Sequence, residues 1–279
     1  MTETQAFGSF WTVQKLDAVE RYLAFYTTAL KNQPFKLCYI DAFSGSGNVL
    51  LKDKQVIDGS ALRALKYPFD SYFFFEKNRS HYSALCEKVT ADYPGKLASI
   101  RTVNGDCNEI LESIDQGRWT SSGWRGVIFI DPYAMDLTWS SLEKISKTRV
   151  FDVWYLFPLS AVTRNLPNNG RIPQAWEDNL TKVFGSPDWK QHIYQESSQM
   201  TLFAESEIEK IPNGLIDYIQ HRLQDTFPTV SSHPFVLRNT TNAPMFLLCF
   251  AGSNPSEKAK KLSLNAANQI LKSMGGENK

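Results

Sequence analysis

The segment Tyr39-Ile-Asp41-Ala-Phe43-Ser-Gly45-Ser-Gly47-Asn48 constrains the fold more than any other part of the chain: an apolar strand ends on an acid and breaks into a glycine-rich turn. Gly45 and Gly47 can take backbone angles closed to other residues, and they let a ligand approach the main chain without meeting a Cβ. The preceding Lys36-Leu-Cys-Tyr-Ile-Asp41 has the apolar, β-rich character of a buried parallel strand. Ligands of open α/β sheets collect where such strands end. The turn is therefore read as a nucleotide-type site, against the competing reading of a purely structural bend.

Elimination narrows the ligand. A phosphate-cradling P-loop needs Gly-x-x-x-x-Gly-Lys-Ser/Thr, and no such string follows this strand. The dinucleotide fingerprint Gly-x-Gly-x-x-Gly meets Gly45-Ser-Gly47-Asn-Val-Leu50, which lacks the third glycine that permits close helix packing. S-adenosylmethionine carries no phosphate and needs no helix amino terminus aimed at one. An acid at the bend can instead face its cationic amino-acid end, and Asp41 suits that role.

Composition removes other classes. The 279 residues suit one large α/β domain with an insertion, or two small ones, and 42% apolar residues leave no case for extended disorder. Thirty basic and twenty-nine acidic residues give a net charge of +1, so no global field draws the chain onto nucleic acid, although a local basic groove stays open. Cys38, Cys86, Cys107 and Cys249 lie far apart and form no Cys-x-x-Cys pair, and the histidines are scattered. Neither zinc nor an iron–sulfur cluster is supported, and no metal is expected. No apolar run reaches membrane-spanning length, and the start lacks a basic region followed by an apolar one. No membrane association is expected, and a reducing cytoplasm is the expected setting.

Strand-like and helix-like segments alternate along the chain as in a doubly wound sheet. After a helix at 12–31 and the first strand come strands at 71–76, 98–103, 126–131 and 151–157, with two more near 234–240 and 244–250. The expected fold is a Rossmann-like, seven-stranded methyltransferase sheet, mostly parallel, closed by an antiparallel hairpin turning at Asn239-Thr-Thr-Asn242. The chain is expected to form a single domain over 1–279, with 160–232 a helical insertion between strands five and six. Helices are expected near 172–184, 187–197 and 205–226, overhanging the carboxyl edge of the sheet. There Arg164, Arg171, Lys182 and Lys190 with Trp176 and Trp189 could grip a polyanion, or could simply form a solvated helical cap with core tryptophans. Leu50 to Asp58 reads as a short insertion, and Ser60 as the cap of the helix that follows it.

Three positions turn the glycine signal into a constellation. Glu76 ends the second strand, where an acid can accept from both ribose hydroxyls of an adenosine cofactor. Asp106, after the third strand, can accept from the adenine amine, cap the helix at 107–114, or do both. Asp131-Pro132-Tyr133 ends the fourth strand and is similar to the Asp/Asn-Pro-Pro-Tyr/Phe signature of methyltransferases that act on exocyclic amines, with one proline absent. In that chemistry the acid and a proline carbonyl accept from the amine, the aromatic ring stacks on the base, and much of the acceleration comes from orientation.

The strings at 39–47, 59–65, 74–76 and 130–133, with the late strand and its following Asn-Pro, resemble the three-Cys-motif partner proteins over most of the chain. That family is bacterial and phage-associated. It is named for genomic association with a separately encoded cysteine-motif protein, which agrees with the scatter of cysteines here. The resemblance implies a methyltransferase-like fold and such a protein as partner, and defines neither substrate nor reaction.

The expected function is S-adenosylmethionine-dependent methyl transfer to an amino nitrogen of a nucleobase or nucleic acid. Asp41, Phe43, Gly45, Gly47, Glu76 and Asp106 would hold the cofactor, with Asp131, Pro132 and Tyr133 at the acceptor; Phe157 is a further candidate for the pocket wall. Two rivals differ in class. One is a catalytically inactive methyltransferase-like binding partner of the cysteine-motif protein, suggested by the shortened motif. The other is an NAD-dependent oxidoreductase, which the missing third glycine opposes.

Overall fold

A computed structural model describes residues 5–6, 10–196 and 208–276. Among these, one sheet has seven principal strands and a short eighth, the seven being β1 (Lys36–Asp41), β2 (Ser71–Glu76), β3 (Ile100–Asn104), β4 (Trp124–Ile130), β5 (Phe151–Phe157), β6 (Phe235–Arg238) and β7 (Pro244–Gly252). Their spatial order is β3-β2-β1-β4-β5-β7-β6. β1 to β5 run parallel, and β7 runs antiparallel to both its neighbours. A two-residue strand, Thr229–Val230, pairs with the other end of β7 and continues the line of β6 along that edge. The dinucleotide-binding order is 3-2-1-4-5-6. Here an antiparallel strand is slotted between the fifth and sixth, which makes the sheet Rossmann-like in the methyltransferase manner.

The central strands are buried on both faces, so they read as continuous apolar runs without alternation. Alternate residues feed two cores. Tyr39, Phe129, Trp154 and Phe250 pack on one face beneath α1 (Phe10–Leu30), α2 (Ser60–Ala64), α3 (Arg79–Asp92) and α11 (Glu257–Gly276). Ile40, Ile128, Tyr155 and Cys249 pack on the other face. They lie beneath α4 (Cys107–Glu112), α6 (Trp139–Thr148), α8 (Gln174–Phe184), α9 (Trp189–Ile193) and α10 (Gly214–Thr226). Two further short helices, α5 (Gln116–Ser121) and α7 (Leu159–Arg164), complete the set named here. The result is a helix–sheet–helix sandwich.

Several local expectations are refined. The hairpin turns at Asn239–Asn242 as expected: Asn239 Oδ1 accepts from the Thr241 and Ala243 amides, and Asn242 sits at φ 61°. Residues 50–58 contribute a small hairpin, Asn48–Leu50 against Val56–Asp58, extended in parallel by Gln5–Ala6. The helix cap is Gly59, and Ser60 is the first helical residue. A Cβ at 59 would stand 2.9 Å from the Gly47 carbonyl oxygen, so only glycine fits that position without movement.

The expected helix at 187–197 is shorter, because after α9 the chain extends as Tyr194–Glu196 and pairs with Ile208–Lys210. Part of the expected helix at 205–226 lies outside the described residues, and the described part is a strand followed by α10. Pro212 and the left-handed Asn213 (φ 60°) separate the two, since proline offers no amide to a preceding turn. The apolar sides of α8 and α10 are buried against α6, the helix on that face of the sheet. Trp139 Nε1 donates to Thr226 Oγ1 (3.0 Å) at that junction.

Candidate active site at the carboxyl edge of the sheet

β1 lies between β2 and β4, so the chain leaves it in one direction and returns on the other side. That is the switch point at which a crevice opens beyond the strand ends. Asp41, the 43–48 turn, Glu76 and Asp131 all emerge on this edge because their strands run parallel and in register. Asp41 pairs with Phe74 and Phe129, two residues short of Glu76 and Asp131 respectively.

The turn is held from both sides. Ser44 donates from its amide (2.9 Å) and its hydroxyl (2.8 Å) to the Phe75 carbonyl, tying the turn to β2. Gly45 and Gly47 sit at φ 61° and 86°, the left-handed region that glycine enters freely. The Gly45 amide donates to Glu76 Oε2 (2.8 Å), and the Asn78 amide donates to Oε1 (2.7 Å). Both oxygens of Glu76 thus have a backbone partner and keep further acceptor sites.

Asp41, expected to face the amino-acid end of the cofactor, is fully buried. Tyr39, Ser60 and the Phe43 amide surround the carboxyl group, and Tyr39 donates to Oδ2 (3.3 Å). Oδ1 has no partner among the described residues. Burial raises its pKa to about 7, and the nearby Asp131 charge adds to the rise, against the lowering effect of the Ser60 side chain, the Phe43 amide and the Tyr39 hydroxyl around it. Phe43 is half-buried against the core beneath the turn. Phe157 lies wholly inside the core, 6.4 Å from Phe184, and is removed from any pocket wall.

Asp106 caps α4: its Oδ1 accepts from the Asn108 amide (2.9 Å), while Oδ2 pairs with Lys77 (2.8 Å). Burial acts against ionisation, and the Lys77 and Asn108 hydrogen bonds outweigh it, so the carboxyl group stays below its ordinary value. The capping reading is therefore realised. Pro132 is buried, whereas the Tyr133 ring stands 66% exposed, free to meet a flat ligand.

One site residue escaped the sequence reading. Lys15, on α1, is 8% exposed and its ammonium hydrogen-bonds Asp131 Oδ2 while lying 5.1 Å from the centre of the Trp11 ring. The only signal available was a lysine on the inward stripe of an amphipathic helix, since Trp11, Lys15 and Tyr22 fall four and seven residues apart. Nothing local connected it to a strand end 116 residues away. In the insertion, Trp189 is a core residue and Lys190 pairs with Glu177 (2.6 Å), so neither presents a free grip; Trp176 is 44% exposed. No group of three or more His, Cys, Asp or Glu side chains suited to a metal occurs among the described residues. No described helix is long and apolar enough to cross a membrane.

The donor set can be tested against S-adenosylmethionine. An unpartnered buried carboxylate oxygen, a glycine turn at positive φ and an acid at the next strand end all suit a cationic adenosine derivative, and none requires phosphate. The residues fit.

No known family and no curated protein matches the chain. Among solved structures it is similar to protein LPL1258 of Legionella pneumophila, at 15% identity over 95% of this chain and 93% of that one, TM-score 0.49. It is also similar to the putative methyltransferase yhhF of Escherichia coli (14% identity, 68% and 83% covered, TM-score 0.34). A third is the methyltransferase domain of bacterial CtHen1 (13%, 84% and 98%, TM-score 0.40). The fold assignment rests on the strand order described above.

Proposed function

We propose that the protein is an S-adenosylmethionine-dependent methyltransferase whose acceptor is an amino nitrogen of a nucleobase or nucleic acid. The observation that carries this reading is the unpartnered, buried Oδ1 of Asp41 beside a glycine turn, on the same sheet edge as Glu76 and Asp131-Pro132-Tyr133. Asp41 would meet the amino-acid end of the cofactor, and Phe43, Gly45 and Gly47 would line the path to it. Glu76 would accept from the ribose hydroxyls and Asp106 from the adenine amine. When bound, the cofactor supplies an electrophilic methyl group on sulfur.

The protein's own part is orientation. Asp131 and the Pro132 carbonyl would accept from the acceptor amine and aim its lone pair, while Tyr133 stacks on the base. Lys15 donates to Asp131 Oδ2 and would fix the orientation of that carboxyl group. No strong base is needed for a weakly basic amine. In the same reading, 1–279 is one domain and 160–232 an insertion that widens the helical layer.

Incubation with methyl-labelled cofactor and separated DNA, RNA, nucleotide and protein pools tests the reaction. Label is expected in a nucleic acid or nucleotide pool, and label in protein alone would overturn the acceptor class. Asp131→Ala is expected to lose turnover at least about a hundredfold while retaining cofactor affinity in calorimetry.

A second reading is favoured by one observation. The Lys15 ammonium already occupies one of the two Asp131 oxygens open to an acceptor amine. A methyltransferase-like protein that binds the cofactor and a separately encoded three-Cys-motif protein without transferring methyl would keep such a contact permanently. Cofactor binding with no label in any pool would select it.

A further inference from the structure

At the opposite edge of the sheet, where β4 and β5 begin, α1 and α11 leave between them a cavity of about 370 Å³. It lies at the amino ends of the parallel strands, away from the glycine turn. Its walls are aromatic, from Tyr22, Phe25, Tyr26 and Phe35, and its floor and rim carry charge of both signs. Asp152, the second residue of β5, lies at the floor and is 9% exposed. Its Oδ2 accepts from Tyr22 Oη (2.7 Å), and Gly252 leaves room for Oδ1, which stands 3.1 Å from where a Cβ would be. Arg125, the second residue of β4, faces the same space with its guanidinium 4.5 Å from the centre of the Phe35 ring. Among the described residues no ion pair joins Arg125 to Asp152, although each faces the cavity. Lys258 and Ser256, at the start of the twenty-residue α11, complete the rim and bring the positive end of that helix with them.

A carboxyl group and a guanidinium that line one aromatic-walled cavity without forming an ion pair make a complementary frame for a molecule that carries both charges. A cation alone would meet Arg125, and an anion alone would meet Asp152. Cavities of this size accommodate small organic ligands with a few placed polar groups. We propose that this cavity binds a small zwitterion, an α-amino acid with an aromatic or large aliphatic side chain. Its ammonium lies on Asp152, its carboxylate between Arg125 and Lys258, and its side chain against Phe25 and Phe35. The buried Asp152, pushed to about 7 by its burial, gains a cation that keeps it ionised. This site is independent of the methyltransferase reading.

Calorimetry on the full chain, saturated with S-adenosylhomocysteine, tests it with L-phenylalanine and L-leucine. Phenethylamine and 3-phenylpropionate serve as half-molecules. One-to-one binding of an amino acid is expected, with each half-molecule weaker by about tenfold or more. Asp152→Asn and Arg125→Met should each weaken binding by about tenfold or more. Leu262→Trp, at the exposed mouth, should abolish binding with an unchanged melting temperature, which covers the case in which the floor variants fail to fold. Absence of binding by both amino acids, or binding indifferent to Leu262→Trp, overturns the proposal. Binding that appears only without S-adenosylhomocysteine also overturns it, since the amino acid would then be entering the other site. The methyltransferase reading would survive each of these results.

Discussion

Burial holds the Asp41 carboxyl at about 7, well above the value near 4 that it has in an unfolded chain. Between those two values the folded state keeps a proton that the unfolded state has lost. Stability therefore falls as pH rises through this window, by at most about 1.4 kcal/mol per pH unit for one such group, and levels off above it. Asp41→Asn is expected to gain in melting temperature relative to the parent as pH goes from 5 to 8, and calorimetric scans at the two values check this. The same variant should lose affinity for S-adenosylmethionine, and parental affinity should rise with pH through about 7. Lys15→Met should move that rise to higher pH, because an Asp131 carboxylate without its cation repels charge on Asp41 more strongly. Cofactor titrations across pH measure the displacement. The placement of Asp41, Glu76 and Asp131 at strand ends was legible in the sequence because each directly follows a run of apolar strand residues. Lys15 was not, since its role depends on a helix crossing the sheet and on a partner distant in the chain.

The glycine turn and α2 act as one element. The Gly59 amide donates to the Gly47 carbonyl (2.7 Å), and a Cβ at 47 would meet Leu85 at 3.0 Å besides facing a positive φ. Gly47→Ala is expected to cost about 1–3 kcal/mol, read from a urea midpoint, and to weaken the cofactor. The sequence showed that this turn needed glycine but could not show the partner carbonyl, which depends on the hairpin at 48–58 bringing residue 59 back. The short helices and strands of the insertion were similarly blurred. Their apolar residues pack on α6 and not along a single amphipathic stripe, so periodicity overstated α9 and missed the strand pair beside it. α1 was recovered nearly to its ends, because its inward stripe runs its full length.

At the scale of the molecule, α1 crosses one face of the sheet and fastens both of its edges. Lys15 reaches Asp131 at the carboxyl end of β4, and Tyr22 reaches Asp152 at the amino end of β5. Tyr22→Phe removes the one hydrogen bond that the Asp152 carboxyl group makes among the described residues, and a loss of about 1–3 kcal/mol is expected in urea unfolding at pH 8, smaller at pH 5 where the carboxyl can be neutral. The overall architecture was the most legible level of all, since seven apolar runs and their turns define it without any single contact.

The partners of α1 also order events during synthesis. Tyr22 meets Trp154 edge-on and Phe250 at a tilt, and the helix packs along α11, so much of its aromatic face is covered by segments made long after it. As the ribosome delivers the chain from its amino end, the first helix waits with an aromatic face uncovered while β1 to β5 assemble beside it. Only when β7 and α11 emerge can that face close. A nascent chain halted before 244 should therefore remain protease-sensitive in α1 although its parallel strands are complete.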